Sequence, residues 1–237
     1  MVDQFSSRWL LVSDVDGTLT GNDGGVRALA GLGIHVALVL NSSRPRESVV
    51  ETLERLPPSL RLTGLISGMG TEICLRGADQ PEWTRRFEDW DRGPVDSFMG
   101  RVGILPHRPN FQTPYKASFT VPAKRWPYFR RQILDIAPHS QVITSGESDF
   151  DVIPAEAGKD KAMLWVARAL GFDPGRVIVA GDSANDLTMF NAARMAIAVG
   201  NARQELVERA DPNRTYFARE NHGLGVIEGL KHWGAIQ

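Results

Sequence analysis

Short, continuous apolar runs alternate with amphipathic stretches in both the first third and the last third of the chain. Residues 9–12, Trp-Leu-Leu-Val, run into Ser13 and Asp14; residues 34–40 form a second apolar run, and residues 62–67 a third. Runs of this length bounded by turn residues predict strands buried on both faces. Gly17, Gly21, Gly24 and Gly25 predict loop after the first strand, followed by a helix over 26–32 that Gly33 stops. Val49, Val50, Leu53 and Leu56 recur at helical spacing behind Pro45, predicting a helix over 47–56. The alternation resumes with helices over 161–170, 187–193, 204–209 and 224–232. Strands over 177–180, 196–199 and 215–218 fall between them. Strand and helix in turn predict an α/β fold, a Rossmann-like parallel sheet with helices on both faces.

The texture changes between about residues 79 and 157. Trp83, Trp90, Trp126 and several prolines enter, and 116–121 alternates polar and apolar as a half-buried antiparallel strand does. This predicts a smaller α+β cap over 79–157, inserted into a core made of 1–78 and 158–237. The tryptophans are expected to pack rather than to bind ligand.

Composition narrows the function classes. The chain has 237 residues, with 27 Lys+Arg against 28 Asp+Glu and a net charge of -1, so it carries no basic footprint for nucleic acid. Its apolar runs are too short to cross a bilayer. Cys74 is the single cysteine, which rules out an internal disulfide and a thiolate metal cage. Residues 1–8 lack the charged-then-apolar layout of a signal peptide. A cytoplasmic location is expected.

Candidate chemistry sits where strands end. Asp14-Val15-Asp16-Gly17-Thr18 closes the first strand and Gly181-Asp182-Ser183-Ala184-Asn185-Asp186 closes a later one. In an open parallel sheet these ends face the ligand crevice, so the two acid pairs can meet there. Four carboxylates suit a hard divalent cation such as Mg2+, which takes oxygen ligands and keeps waters. An EF-hand is excluded, because the twelfth position of that loop is Gly25. Asn41-Ser42-Ser43-Arg44 ends the second strand just before a helix, and Lys159 precedes another; a hydroxyl, a guanidinium and an ammonium so placed suit a phosphate. Taken singly, Ser42 reads as a helix cap and Lys159 as a surface lysine. Their order, acid pair, hydroxyl, lysine, acid pair, is what points to one site.

That order resembles the haloacid-dehalogenase-like phosphatases. Asn41-Ser42-Ser43-Arg44, Gly70-Thr71-Glu72, 116–119, 149–154 and 225–234 are similar to the branch of sucrose-phosphate and mannosylfructose-phosphate phosphatases. Ser43, where relatives often carry Gly, and Pro45 depart from the pattern. The resemblance implies that Asp14 attacks phosphorus and that Asp16 acts as general acid and base. It implies Mg2+ held by Asp14, the Asp16 carbonyl, Asp182 and Asp186. Ser42 and Lys159 then neutralise the phosphoryl oxygens, with Asn185 orienting them. The implied reaction is removal of the 6-phosphate from a fructosyl disaccharide phosphate, sucrose 6-phosphate or mannosylfructose phosphate. The alternatives are a phosphosugar mutase and a catalytically idle partner of a glycosyltransferase. An idle module has no need of Asp14, Asp16, Lys159 and Asp182 together. Sugar contacts are expected from Arg44, Glu72, Lys116, Glu147 and Asp149.

Overall fold

The computed structural model describes residues 9–32 and 35–237. The readings of 1–8, of Gly33 as a helix stop and of Ile34 as a strand start lie outside the described residues. The larger sheet has the strand order β11-β10-β9-β1-β2-β3-β4-β5. At its centre are β1 (Trp9–Ser13), β2 (Val36–Asn41) and β9 (Val177–Gly181), all parallel, with β3 (Gly64–Ser67) beyond β2. On the other side β10 (Met195–Ala198) and β11 (Thr215–Phe217) continue the parallel run. Antiparallel β4 (Glu72–Leu75) and β5 (Ala78–Asp79) extend the far edge.

Strands covered on both faces need apolar residues at every position, and this sheet shows them. Leu10 and Val12 of β1 face one core, and Trp9 and Leu11 face the other. The first core is closed by α3 (Pro81–Thr84), α6 (Lys159–Ala169), α7 (Leu187–Ala192) and α8 (Gln204–Arg209). The second is closed by α1 (Asp23–Ala30), α2 (Arg46–Leu53) and α9 (His222–His232).

The smaller sheet, order β6-β8-β7, is antiparallel. It consists of β6 (Ala117–Thr120), β7 (Ser140–Ser145) and β8 (Asp149–Pro154). One face packs on α4 (Gly93–Arg101) and α5 (Trp126–Ile136) through Phe119, Phe150, Val152, Phe129 and Ile133, a third core separate from the other two. Its other face carries Ser118 and Asp151. No helix among the described residues is long and apolar enough to cross a membrane.

Several details depart from the sequence pattern. The loop expected through Gly24 and Gly25 is helical, because the Asn22 side chain accepts from both backbone N–H groups and caps α1. Helix α2 stops at Leu53, short of Leu56. Helices α6 and α9 each start two residues before the predicted position. The change of texture at residue 79 is also not a change of core. Asp79 pairs with Cys74 at the sheet edge, and Trp83 and Phe87 join the first core, with the Trp83 indole N–H on the Gly70 carbonyl at 3.0 Å.

Candidate active site

Asp14 follows β1, Ser42 follows β2, Asp182 follows β9, and Lys159 opens α6. Because β1 lies between β2 and β9, the three strand ends converge on one crevice. The loop after Asp14 passes close to Asp182. Gly17 has φ +82, and a Cβ there would come within 2.7 Å of the Asp182 carboxylate, so the passage requires glycine. Thr18 Oγ1 donates to Asp182 Oδ1 at 3.1 Å and ties the two acid loops together.

Lys159 is the hub. Its Nζ lies 2.6 Å from Asp14 Oδ1, 2.7 Å from Asp186 Oδ1 and 3.0 Å from the side-chain oxygen Oδ1 of Asn185, and the residue has no exposed surface. Asp186 Oδ2 accepts from the N–H groups of Asp182 and Ser183, fixing the second acid loop. Carboxylate oxygens of Asp14, Asp182 and Asp186 all lie within 4.8 Å of one another. Two of these buried carboxylates, Asp14 and Asp186, share the Lys159 ammonium, and Asp182 lies beside them within reach of the Arg203 charge. Burial pushes the Asp14 carboxyl up to about 8, with Asp186 and Asp182 adding to the shift and Lys159 opposing it. Asp182 rises to about 6 through burial and the Asp186 charge. Burial works to lower Lys159, but Asp14 and Asp186 outweigh it and hold the ammonium above its ordinary range. A site this short of positive charge, with oxygen donors only, fits a hard divalent cation.

Asp16 is exposed at the rim, where its carboxylate accepts from Arg44 Nε at 2.7 Å. Arg44 is itself held by α2, donating to the Ser48 carbonyl at 3.0 Å and to Thr52 Oγ1 at 2.8 Å. Ser42 is buried, with Oγ accepting from the Arg44 N–H, and the neighbouring Ser43 lines the cavity. The cavity, about 260 Å3, lies between the two sheets.

Of the expected sugar contacts, Arg44, Lys116 and Asp149 line this cavity, and two others do not. Glu72 accepts from Ser67 Oγ at 2.8 Å and from the Arg46 N–H at 3.1 Å, serving the start of α2. Glu147 is exposed outside the lining, near the β7–β8 turn. His107, Phe111, Ser145, Asp151 and Arg203 line the cavity and were not anticipated. Asp151 had a signal, since it shares the period of two with Asp149 along β8. Lys116 and Asp151 form a buried ion pair at 3.1 Å, with Ser118 between them. His107 sits in a loop, Phe111 ends a single 3-10 turn (Pro109–Phe111) and Arg203 lies just before α8, where no periodicity marks them.

The model of the sucrose-6F-phosphate phosphohydrolase family matches residues 7–234. The chain belongs to this family. It is a haloacid-dehalogenase-like phosphatase, a phosphoric monoester hydrolase. It is 28% identical over 240 residues to the mannosylfructose-phosphate phosphatase of Agrobacterium fabrum, covering 95% of this chain and 96% of that one. Sucrose-phosphatase 1 of Nicotiana tabacum is 26% identical over 214 residues, 83% of this chain and 50% of that protein, so the chain spans about half of this plant relative. Its fold is similar to that of the Synechocystis sp. PCC6803 sucrose-phosphatase, solved with sucrose and phosphate. The TM-score is 0.88 at 24% identity, covering 96% and 98% of the two chains.

Proposed function

We propose that the chain is a Mg2+-dependent phosphatase that removes the 6-phosphate of a fructosyl disaccharide phosphate, sucrose 6-phosphate or mannosylfructose phosphate. The observation that carries this reading is Lys159, buried among Asp14, Asp186 and Asn185 directly behind the Asp14 and Asn185 side of a cavity whose opposite wall is the polar face of the small sheet. In this reading 1–78 and 158–237 form the catalytic core and 79–157 the cap, the first residues of the insertion packing on the core.

Asp14 attacks phosphorus through a carboxylate oxygen and expels the sugar alkoxide, which Asp16 protonates. Asp16 then takes a proton from the water that attacks the aspartyl-phosphate. To reach the leaving oxygen, its carboxylate must turn away from Arg44. Lys159 and the hydroxyls after β2 face the charge that builds on the phosphoryl oxygens. Asp14, the Asp16 carbonyl, Asp182 and Asp186 would hold Mg2+, which supplies charge neutralisation at the phosphoryl group. On the cap wall Lys116, Asp149, Asp151, Ser145 and His107 offer donors and acceptors to sugar hydroxyls. A cytoplasmic setting and a functional partnership with the glycosyltransferase that makes the phosphorylated disaccharide complete the proposal.

The test is phosphate release with Mg2+ from sucrose 6-phosphate, mannosylfructose phosphate, fructose 6-phosphate, glucose 6-phosphate and p-nitrophenyl phosphate. Strong preference for one disaccharide phosphate is expected, with no release by Asp14→Asn. Equal weak rates on the monosaccharide phosphates would remove the disaccharide claim. Turnover by Asp14→Asn, or in excess EDTA, would remove the covalent mechanism or the metal.

A further inference from the structure

Two side chains, both distant in the chain, converge on one backbone oxygen in the nucleophile loop. The Gly17 carbonyl accepts from Asn201 Nδ2 at 2.7 Å and lies 2.8 Å from Nδ1 of His222. A carbonyl can only accept, so Nδ1 of His222 carries the hydrogen. Asn201 Oδ1 in turn accepts the His222 backbone N–H at 2.8 Å, closing a triangle.

The fold makes two local concessions for this triangle. His222 has φ +53, a left-handed conformation that a residue with a side chain adopts only at a cost. Opposite its ring, Gly21 has φ +116, and a Cβ there would sit 2.6 Å from the imidazole. Neither His222 nor Asn201 lines the cavity, and the link of both to the site is the Gly17 carbonyl. What they do touch is the most pliable link of the catalytic loop. Gly17 lacks the steric limits that hold other residues in place, and it directly follows Asp16. Two donors on its carbonyl remove that freedom from one side, while Thr18 on Asp182 holds the next residue from the other.

We propose that Asn201 and His222 are positioning residues that fix the Gly17 peptide and so aim Asp14 and Asp16. The proposal rests on the reading of those two aspartates given above. It explains why a left-handed histidine opens α9, a place where asparagine or glycine would be less strained.

The test compares His222→Gly, Asn201→Ala, the double variant and Asp14→Asn, with Arg76→Gly as a control. Arg76 is another left-handed residue, at the β4–β5 turn. Phosphate release with Mg2+ is measured on sucrose 6-phosphate and p-nitrophenyl phosphate, with Tm for each protein. For His222→Gly, kcat should fall about tenfold to a hundredfold, the scale of a small misplacement of catalytic groups, with KM within about twofold. Its Tm should stay within about 2 °C of wild type, because relief of strain offsets a lost hydrogen bond. Arg76→Gly should leave kcat unchanged. Asn201→Ala should lose kcat similarly, and the double variant little more than either single, since both act through one oxygen. If His222→Gly does not fold, His222→Asn, which tolerates the left-handed region, carries the same expectation. Wild-type kcat in the His222 and Asn201 variants, with Asp14→Asn inactive, overturns the proposal alone. So does a kcat loss that tracks lowered Tm and is restored on cooling. Turnover by Asp14→Asn overturns the reading of the site beneath it.

Discussion

At the scale of single residues, the decisive fact is that Lys159 has no exposed surface and three oxygen partners within 3.0 Å. An ammonium buried this deeply is tolerable only because Asp14 and Asp186 surround it, and they are tolerable only because of it. Lys159→Met should therefore abolish turnover and destabilise the fold by about 3–5 kcal/mol at about pH 9, where Asp14 is ionised, the cost of leaving buried charge unpaired. The loss should shrink below about pH 8, where Asp14 takes up a proton, and further below about pH 6, where Asp182 does; urea unfolding on either side of this range reads both effects. The sequence placed this lysine in the site through its order among the acid pairs, although a lone lysine before a helix is commonly a surface residue. Arg203 and His107 gave no comparable signal, because loop residues enter a cavity without any period that sequence can show.

At the scale of elements, the small sheet divides its labour by face. Phe119, Phe150 and Val152 bury one side against α4 and α5, and Lys116, Ser118 and Asp151 turn polar groups to the other. Phe150→Ala should cost about 3–5 kcal/mol of stability by opening a cavity in that third core, measurable as a lower urea midpoint. Lys116→Met should raise KM for the disaccharide phosphate about tenfold, the loss of one charged contact, and change p-nitrophenyl phosphate turnover little, while lowering the urea midpoint because Asp151 is left without its buried partner. The alternation over 116–121 made this strand legible, because a half-buried strand repeats every second residue. Glu72 is ambiguous in the sequence for the opposite reason. Its charge and place near a strand end look the same whether it meets a substrate or serves the first turn of a neighbouring helix, and only the approach of α2 decides.

At the scale of the whole molecule, the site links pH, metal and stability. Asp14 is raised from 3.8 to about 8 and Asp182 from 3.8 to about 6 in the folded chain. Between about pH 4 and pH 8 the folded state thus keeps protons that the unfolded chain has released, and these groups make stability fall as pH rises. Metal-free protein should have a lower Tm at about pH 8 than at about pH 5.5 from this cause. Mg2+ should raise Tm more at the higher pH, since ligand carboxylates must be deprotonated to bind. Thermal melts with EDTA and with Mg2+ at the two pH values test this; an equal Mg2+ shift at both would count against carboxylate ligation.

The sequence by itself determined the order of the core's parallel strands and the helices between them, the two acid pairs and the positions of Ser42 and Lys159, but not the antiparallel edge formed by β4 and β5. These are written in continuous apolar runs, in helical spacing and in residue types at strand ends, all of them short-range along the chain. Only the tertiary structure decided that residues 79–87 pack with the core, that Glu72 serves α2, and that His107, Asp151 and Arg203 reach the cavity. It alone brought Asn201 and His222 onto the Gly17 carbonyl. Those outcomes depend on which surfaces meet after the sheet has formed, and contacts between residues as much as 205 positions apart leave no pattern in either partner's neighbourhood.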